Sequence, residues 1–393
     1  MEVKKLDNGV VLVLDKFNSP LFTVAVGVSV GSLYEEEDER GVTHLLEHML
    51  FHVPDLDVDA AVESIGGENN AYTSRDSITI VIDALAESAL QAVELAYRIY
   101  TNSKFDPQRL EREKAVVLSE LRLSREDPSE RVGELALKAL FGDSDWGAPV
   151  GGHPSTVAKL EVRDLTRHKE KWFVPENTVL SLSGGFGEEA VRKVEDLFKK
   201  IEGPPPPRKR PTKSRGPGSI VEEREVDGLY YAYAVEYAVD TTASTYLDLG
   251  AAAFHLGDGT KSILFHLLRS RGLSYSYYVD YDVVEDTAYL LVAVESAVDL
   301  DAVKRAVEEA LRPKTAPEYR KRYFKYLWSR RTPAQRALEN LEFYIKRGDP
   351  TRLDVDMWKA VENGTTKLEG RVINTAEAVI HARRTRIKPA SAT

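Results

Sequence analysis

The chain has no cysteine. Neither a disulfide nor a thiolate metal ligand is available, so any transition-metal site has to be built from histidine, aspartate or glutamate. Long apolar runs are missing as well. No stretch approaches the ~18 residues of a membrane-spanning helix, and no membrane association is expected. The first ten residues lack the apolar core of a secretory signal, which makes the cytoplasm the expected location. Positive charge is in deficit: 53 Lys and Arg face 63 Asp and Glu, a net charge of −10 that argues against general nucleic-acid binding. An acidic excess would suit a cavity for basic peptides only where the acids face inward. Methionine is scarce, at three residues, and together with abundant Glu, Lys and Arg this would suit a thermophile.

At 393 residues the chain exceeds one ordinary core and fits two domains. The clearest boundary is Gly203 to Gly218, G-P-P-P-P-R-K-R-P-T-K-S-R-G-P-G. Consecutive prolines favour extended polyproline II and exclude helix or central strand. Basic residues in the same stretch would fit a nucleic-acid or membrane patch; a solvated linker accounts for them more simply. The expected division is therefore residues 1–202, a linker over 203–218, and residues 219–393. The two parts repeat one order of elements. Leu21 to Val30 alternates as a strand, with an acidic turn (Glu35 to Glu39) before a helix from about Thr43, a plausible cap, to Phe51. Tyr230 to Val239 alternates in the same way, ahead of a helix from about Ala243 to Leu256. A strand region follows in each (Ala71 to Ala84; Ser274 to Glu295), then an amphipathic helix (Glu87 to Tyr100; Leu300 to Leu311). The pattern predicts an α+β fold of two homologous domains, each a mostly antiparallel sheet covered by helices. After Arg312 the sequence reads as helical and charged.

The chemistry-bearing motif is His44-Leu45-Leu46-Glu47-His48, inside the first helix. Positions i and i+4 share one helix face a turn apart, so two imidazoles can grip one metal ion. Glu47 projects from the same side, positioned to take a proton from the water that attacks a substrate bond. The order H-x-x-E-H inverts the commoner H-E-x-x-H and is the inverzincin pattern of zinc peptidases. His52 continues the face one turn on and reads as a helix-closing or hydrogen-bonding residue more readily than as a ligand. A catalytic zinc needs a third protein ligand. The helix Glu111 to Arg125 offers Glu113 and Glu120, seven apart on one face: one to bind metal, the other to orient a histidine.

Together these segments resemble the pitrilysin family, in particular its short two-domain members akin to mitochondrial processing peptidase. The resemblance covers most of residues 5–300. It rests on Gly41 to Phe51 (G-V-T-H-L-L-E-H-M-L-F), Gly66 to Ser77 (G-G-E-N-N-A-Y-T-S-R-D-S), Glu113 to Leu121 (E-K-A-V-V-L-S-E-L), Trp172 to Gly185, and Leu268 to Ser276 (L-R-S-R-G-L-S-Y-S). It implies a zinc-dependent endopeptidase with His44, His48 and Glu120 as ligands, Glu113 as the supporting acid and Glu47 as general base. It implies that Asn70 and Ala71 lie on an edge strand that pairs with substrate. Arg269 and Tyr275 would reach the active site from the second domain to steady the oxyanion. The family also implies peptide substrates held in a closing chamber, formed by a homodimer or by a heterodimer with a related chain. Its catalytically silent partner or scaffold subunits supply the alternative, against which the intact metal motif speaks. The chain departs from the family in three places. The His48-to-Glu120 gap is a few residues short. The Arg-to-Tyr gap is about one residue short, where Tyr275, Tyr277 and Tyr278 crowd together on a stretch, Ser274 to Tyr281, that alternates as a strand. The tail after Pro333 is expected to lack the family's final strand. In the second domain A-A-A-F-H (Ala251 to His255) stands where the first has its motif, and that copy is not expected to hold zinc.

Overall fold

The computed structural model describes residues 1–239, 243–312, 322–323, 325–326, 329, 331–355 and 372–382. The first domain builds a six-stranded sheet in the order β1 (Glu2–Lys5), β2 (Val11–Lys16), β6 (Thr178–Gly184), β3 (Leu21–Val28), β5 (Ile78–Leu85), β4 (Glu68–Thr73). The second builds a five-stranded sheet in the order β7 (Ser219–Arg224), β11 (Val372–Ala382), β8 (Leu229–Ala238), β10 (Thr287–Ala297), β9 (Ser276–Val284). Neighbours run antiparallel except β2 with β6 and β7 with β11, so both sheets are mixed. The fold is two-domain α+β with helices over the sheets.

Period-2 alternation gives each central strand two apolar faces. Val24, Val26 and Val28 of β3, with Ile78, Ile80 and Ile82 of β5, face helices α1 (Val42–Leu50) and α3 (Ala89–Thr101). A short helix α2 (Val58–Ser64) sits between these two helices in the chain. The alternate residues Val11, Val13, Ala25, Val81 and Val179 face the other way and are covered by Ala337 and Leu341 of the helix Pro333–Arg347. Gly27 makes room for that helix: a Cβ there would lie 2.6 Å from a Leu341 methyl. Arg336 anchors the contact through two hydrogen bonds to the buried Asp15. The exchange is reciprocal. Helices α4 (Pro107–Glu126) and α5 (Pro128–Phe141) belong to the first domain, yet α5 lays Val132, Leu135, Ala136 and Leu140 against Ala232, Ala234, Leu291 and Ala378 of the second sheet. Each domain thus lends a helix to its neighbour.

Two expectations need correction. The chain does have a final strand after Pro333: β11 inserts between β7 and β8 and buries Ala376, Ala378, Val379 and Ile380. Three alanines in V-I-N-T-A-E-A-V-I-H-A weaken its β signal, and its stability comes from two flanking ladders instead. The region read as one strand, Ser274 to Tyr281, begins only at Ser276, because the Ser274 hydroxyl turns back to the carbonyls of Ser276 and Glu295. The stretch 203–218 has no helix or strand before Ser219, as its prolines require. It is nonetheless tied down: Thr212 N–H donates to Asp145 (2.7 Å), Ser214 Oγ to Phe141 O (2.8 Å) and Gly216 N–H to Leu140 O (3.0 Å).

Candidate metal centre

Helix α1 begins at a position that only glycine fills easily. Gly41 sits at φ 98°, and a Cβ on it would meet Gly151 O at 2.7 Å. Thr43 is therefore inside the helix, not its cap, and its hydroxyl meets His168 Nε2 at 3.1 Å. The capping acceptor comes from the acidic turn: the Glu35 carboxylate accepts from the N–H groups of Gly41 and Thr43, both at 2.8 Å. Burial pushes this carboxyl up to about 7, against the pull of those backbone donors.

The buried face of α1, Leu45, Leu46, Met49 and Leu50, fixes the helix in the core and turns His44, Glu47 and His48 the other way. Helix α4 starts from Asp106, whose side chain accepts from Arg109 N–H, with Pro107 behind it. It crosses α1 so that Glu113 and Glu120 face the histidines. Glu120 Oε2 lies 3.8 Å from His44 Nε2 and 3.6 Å from His48 Nε2. Zinc with ligand distances of about 2.1 Å in a tetrahedron holds its ligands ~3.4 Å apart, so the three donors fit one ion. Among the described residues this is the group of three or more His, Asp or Glu side chains close enough to share one.

Glu113 pairs with two histidines, His48 and His52. Its Oε2 accepts from His48 Nδ1 (3.2 Å), which leaves His48 Nε2 free to face Glu120. Its Oε1 accepts from His52 Nε2 (2.8 Å), so His52 lies outside the ligand group and braces the same acid. His44 is driven down to about 4 by burial and by His48, which keeps its imidazole neutral and fit for ligation. Glu47 is raised by burial, while a hydrogen bond from the Thr73 hydroxyl and the neighbouring His48 oppose the shift. A carboxyl so raised is closer to the range of a working base. Thr73 is a residue the sequence reading missed; it sits inside the quoted motif, but its reach to Glu47 is a tertiary contact.

The edge strand is where it was expected. Among the described residues β4 pairs with β5 alone, and Asn70 and Ala71 lie on it, Asn70 exposed. A cleft of about 640 Å³ opens beside the centre, between His44, Ser74 and Glu120 of the first domain and Tyr278, Asp282 and Tyr289 of the second. Arg269 and Tyr275 do not line it. Tyr275 precedes β9, is 75% exposed, and lies under the Arg269 guanidinium at 4.1 Å from its ring centre. Tyr277 OH meets Ser262 Oγ (3.2 Å), and Tyr278, the tyrosine of this trio in the cleft, donates to Ser129 O (3.2 Å). No helix of the described residues is long and apolar enough to cross a membrane.

Known proteins match the chain along most of its length. Residues 10–152 match the family described as insulinase (peptidase family M16), and residues 159–313 the M16 peptidase inactive domain. An uncharacterized zinc protease of Bacillus subtilis is 27% identical over 77% of this chain and 76% of its own length. An uncharacterized zinc protease of Mycobacterium leprae is 30% identical over 69% of this chain and 63% of its own. The crystal structure of a protease from Helicobacter pylori superposes with a TM-score of 0.83 at 16% identity, covering 97% of this chain and 99% of that one. With both halves matched in order, the chain belongs to the zinc-dependent insulinase family of peptidases, M16, the pitrilysin family of its sequence motifs.

Proposed function

We propose that the chain is a zinc metalloendopeptidase acting on extended peptides or unfolded segments. One observation carries the reading: three side chains able to ligate one metal ion converge beside a carboxylate that Thr73, the last residue of an open edge strand, holds in place. His44, His48 and Glu120 would hold zinc, which when bound would supply Lewis-acid chemistry and make an attacking water acidic enough, with a pKa of about 7, for a carboxylate base. Glu47 takes the proton of that water and hands it to the leaving amine. Asn70 and Ala71 offer the free edge of β4, to which a substrate backbone adds as a further strand. The cleft lining mixes acids with Arg75, and most of those acids are already engaged: Glu120 in the metal group, Glu134 with Arg131, Asp280 with the Tyr289 hydroxyl and Asp282 with Lys346, so the acids do not by themselves select basic peptides.

Arg269 and Tyr275 are exposed and stacked on one another away from the cleft. We assign them to the zinc site of a second chain, a copy or a relative, when two chains close into a chamber. The intact ligand set weighs against a silent scaffold role. The test is a zinc-loaded sample incubated with an unstructured, internally quenched peptide, with products read by mass spectrometry. Cleavage at internal bonds that chelation abolishes is expected. A zinc-bound, folded chain that cleaves no peptide while binding a related chain would favour the scaffold reading.

A further inference from the structure

The hairpin β4–β5 carries the edge strand on one arm, and its tip is held from the other domain. The tip is the four-residue turn Ser74–Ser77, closed by Ser74 N–H to Ser77 O (2.8 Å) and by Ser74 Oγ to Asp76 Oδ1 (3.0 Å). Lys346, near the end of the helix Pro333–Arg347, donates to Asp76 Oδ2 (2.9 Å) and to Asp282 Oδ1 on β9 (2.7 Å). The Lys346 and Asp76 side chains are only 4% and 5% exposed. Arg75 makes a second attachment: it donates to Trp146 O (3.2 Å), and its guanidinium lies 5.7 Å from the ring centre of Tyr289 on β10. The residue before the turn is Thr73, whose hydroxyl holds Glu47.

A buried ammonium between two carboxylates is a costly way to stabilise a fold, since desolvation offsets most of its attraction. What such a group does well is fix one arrangement of the segments it joins. Here those segments are the substrate hairpin, β9 and the C-terminal helix. We propose that Lys346 is a positioning residue for the reaction: by fixing the Ser74–Ser77 turn to the second domain it fixes Thr73, and through Thr73 the Glu47 carboxylate. The inference rests on the reading of Glu47 as general base. Alignment of the base then depends on the seating of the two domains, and a hairpin released at its tip slows turnover without touching the metal.

Lys346→Met and Asp76→Asn test it, the second because it leaves the Lys346–Asp282 pair in place should the first fail to fold. Both are expected to keep wild-type zinc content. Turnover per zinc-loaded chain should fall roughly ten-fold to a hundred-fold, the scale of a misplaced catalytic group, with KM changed less than about two-fold; Lys346→Arg should recover most of it. If the effect runs through Thr73, adding Thr73→Val to Lys346→Met costs little beyond the slower single variant. Additive losses, or normal turnover with only a lower Tm, would overturn the proposal. Hydrogen exchange across residues 70–78 gives a readout independent of activity: faster exchange in both variants supports the anchoring, and unchanged exchange refutes it. A zinc-loaded wild type without peptidase activity would retire the reading of Glu47 as base, and exchange alone would then decide whether Lys346 holds the turn.

Discussion

Glu113→Gln tests the proposed division between an acid that orients a ligand and an acid that is one. In the wild type this carboxylate, 15% exposed, accepts from His48 at 3.2 Å and from His52 at 2.8 Å. A glutamine keeps the shape but has one acceptor oxygen for two imidazole donors. Hydrogen bonds to a charged acceptor contribute about 1.5–3 kcal/mol each. Of the two bonds, the one to His48 is made to a member of the donor group, and it is the one that bears on the metal. At about 1.4 kcal/mol per decade, losing it weakens zinc binding by roughly ten-fold to a hundred-fold, the usual range for removing a ligand's hydrogen-bond partner. The assay is competition of zinc against a chelator of known affinity at fixed pH, with Glu120→Ala in parallel. Glu113→Gln should retain measurable zinc, and Glu120→Ala should purify nearly zinc-free. The reverse ranking would exchange the two roles, and an unchanged affinity in Glu113→Gln would remove it from the site.

Three further outcomes are expected. Tyr275→Phe removes an exposed hydroxyl and should leave zinc and Tm unchanged while lowering turnover roughly ten-fold to a thousand-fold; normal rates, or a larger loss in Tyr277→Phe, would show that the wrong tyrosine was assigned. Glu35 is raised by burial to about 7, above its unfolded value, so its contribution to stability is fully present at low pH and is lost as pH rises through about 7. Glu35→Gln should therefore flatten the fall in Tm between about pH 4.5 and 7, where the shift corresponds to ~3 kcal/mol, and an identical pH profile would count against it. Leu341→Ala opens a cavity between the Pro333–Arg347 helix and the first sheet, where Leu341 is 2% exposed, and should cost about 2–5 kcal/mol in chemical denaturation; a cost under ~1 kcal/mol would mean that the helix is not seated on the sheet.

The parts of this arrangement that sequence conveys are the local ones. His44, Glu47 and His48 share a helix face by spacing alone, and Glu113 and Glu120 share another two turns apart, so the ligand helices were legible. Only the family resemblance assigned Glu120 to the metal and Glu113 to its support; spacing alone left the division of roles between those acids open, because it depends on how α4 crosses α1. Thr73 and Lys346 were invisible for the same reason: Lys346 reaches Asp76 across 270 residues. The reciprocal loan of helices also leaves no mark on periodicity, since α5 looks amphipathic whichever sheet it covers. β11 was missed because alanines suit a helix as well as a strand, and only its place between two ladders decides. Tyr275 fell outside its expected strand through two hydrogen bonds of the Ser274 hydroxyl, a local competition that an alternating pattern does not show.

The central claim is that His44, His48 and Glu120 hold the metal while Glu47 moves the proton. It is tested most directly by measuring zinc stoichiometry and peptide turnover on the same samples of wild type and Glu47→Gln. The account predicts one zinc per chain in both and a loss of roughly 10²-fold or more in turnover for the variant. Loss of zinc on substitution, or normal turnover with zinc bound, would contradict it.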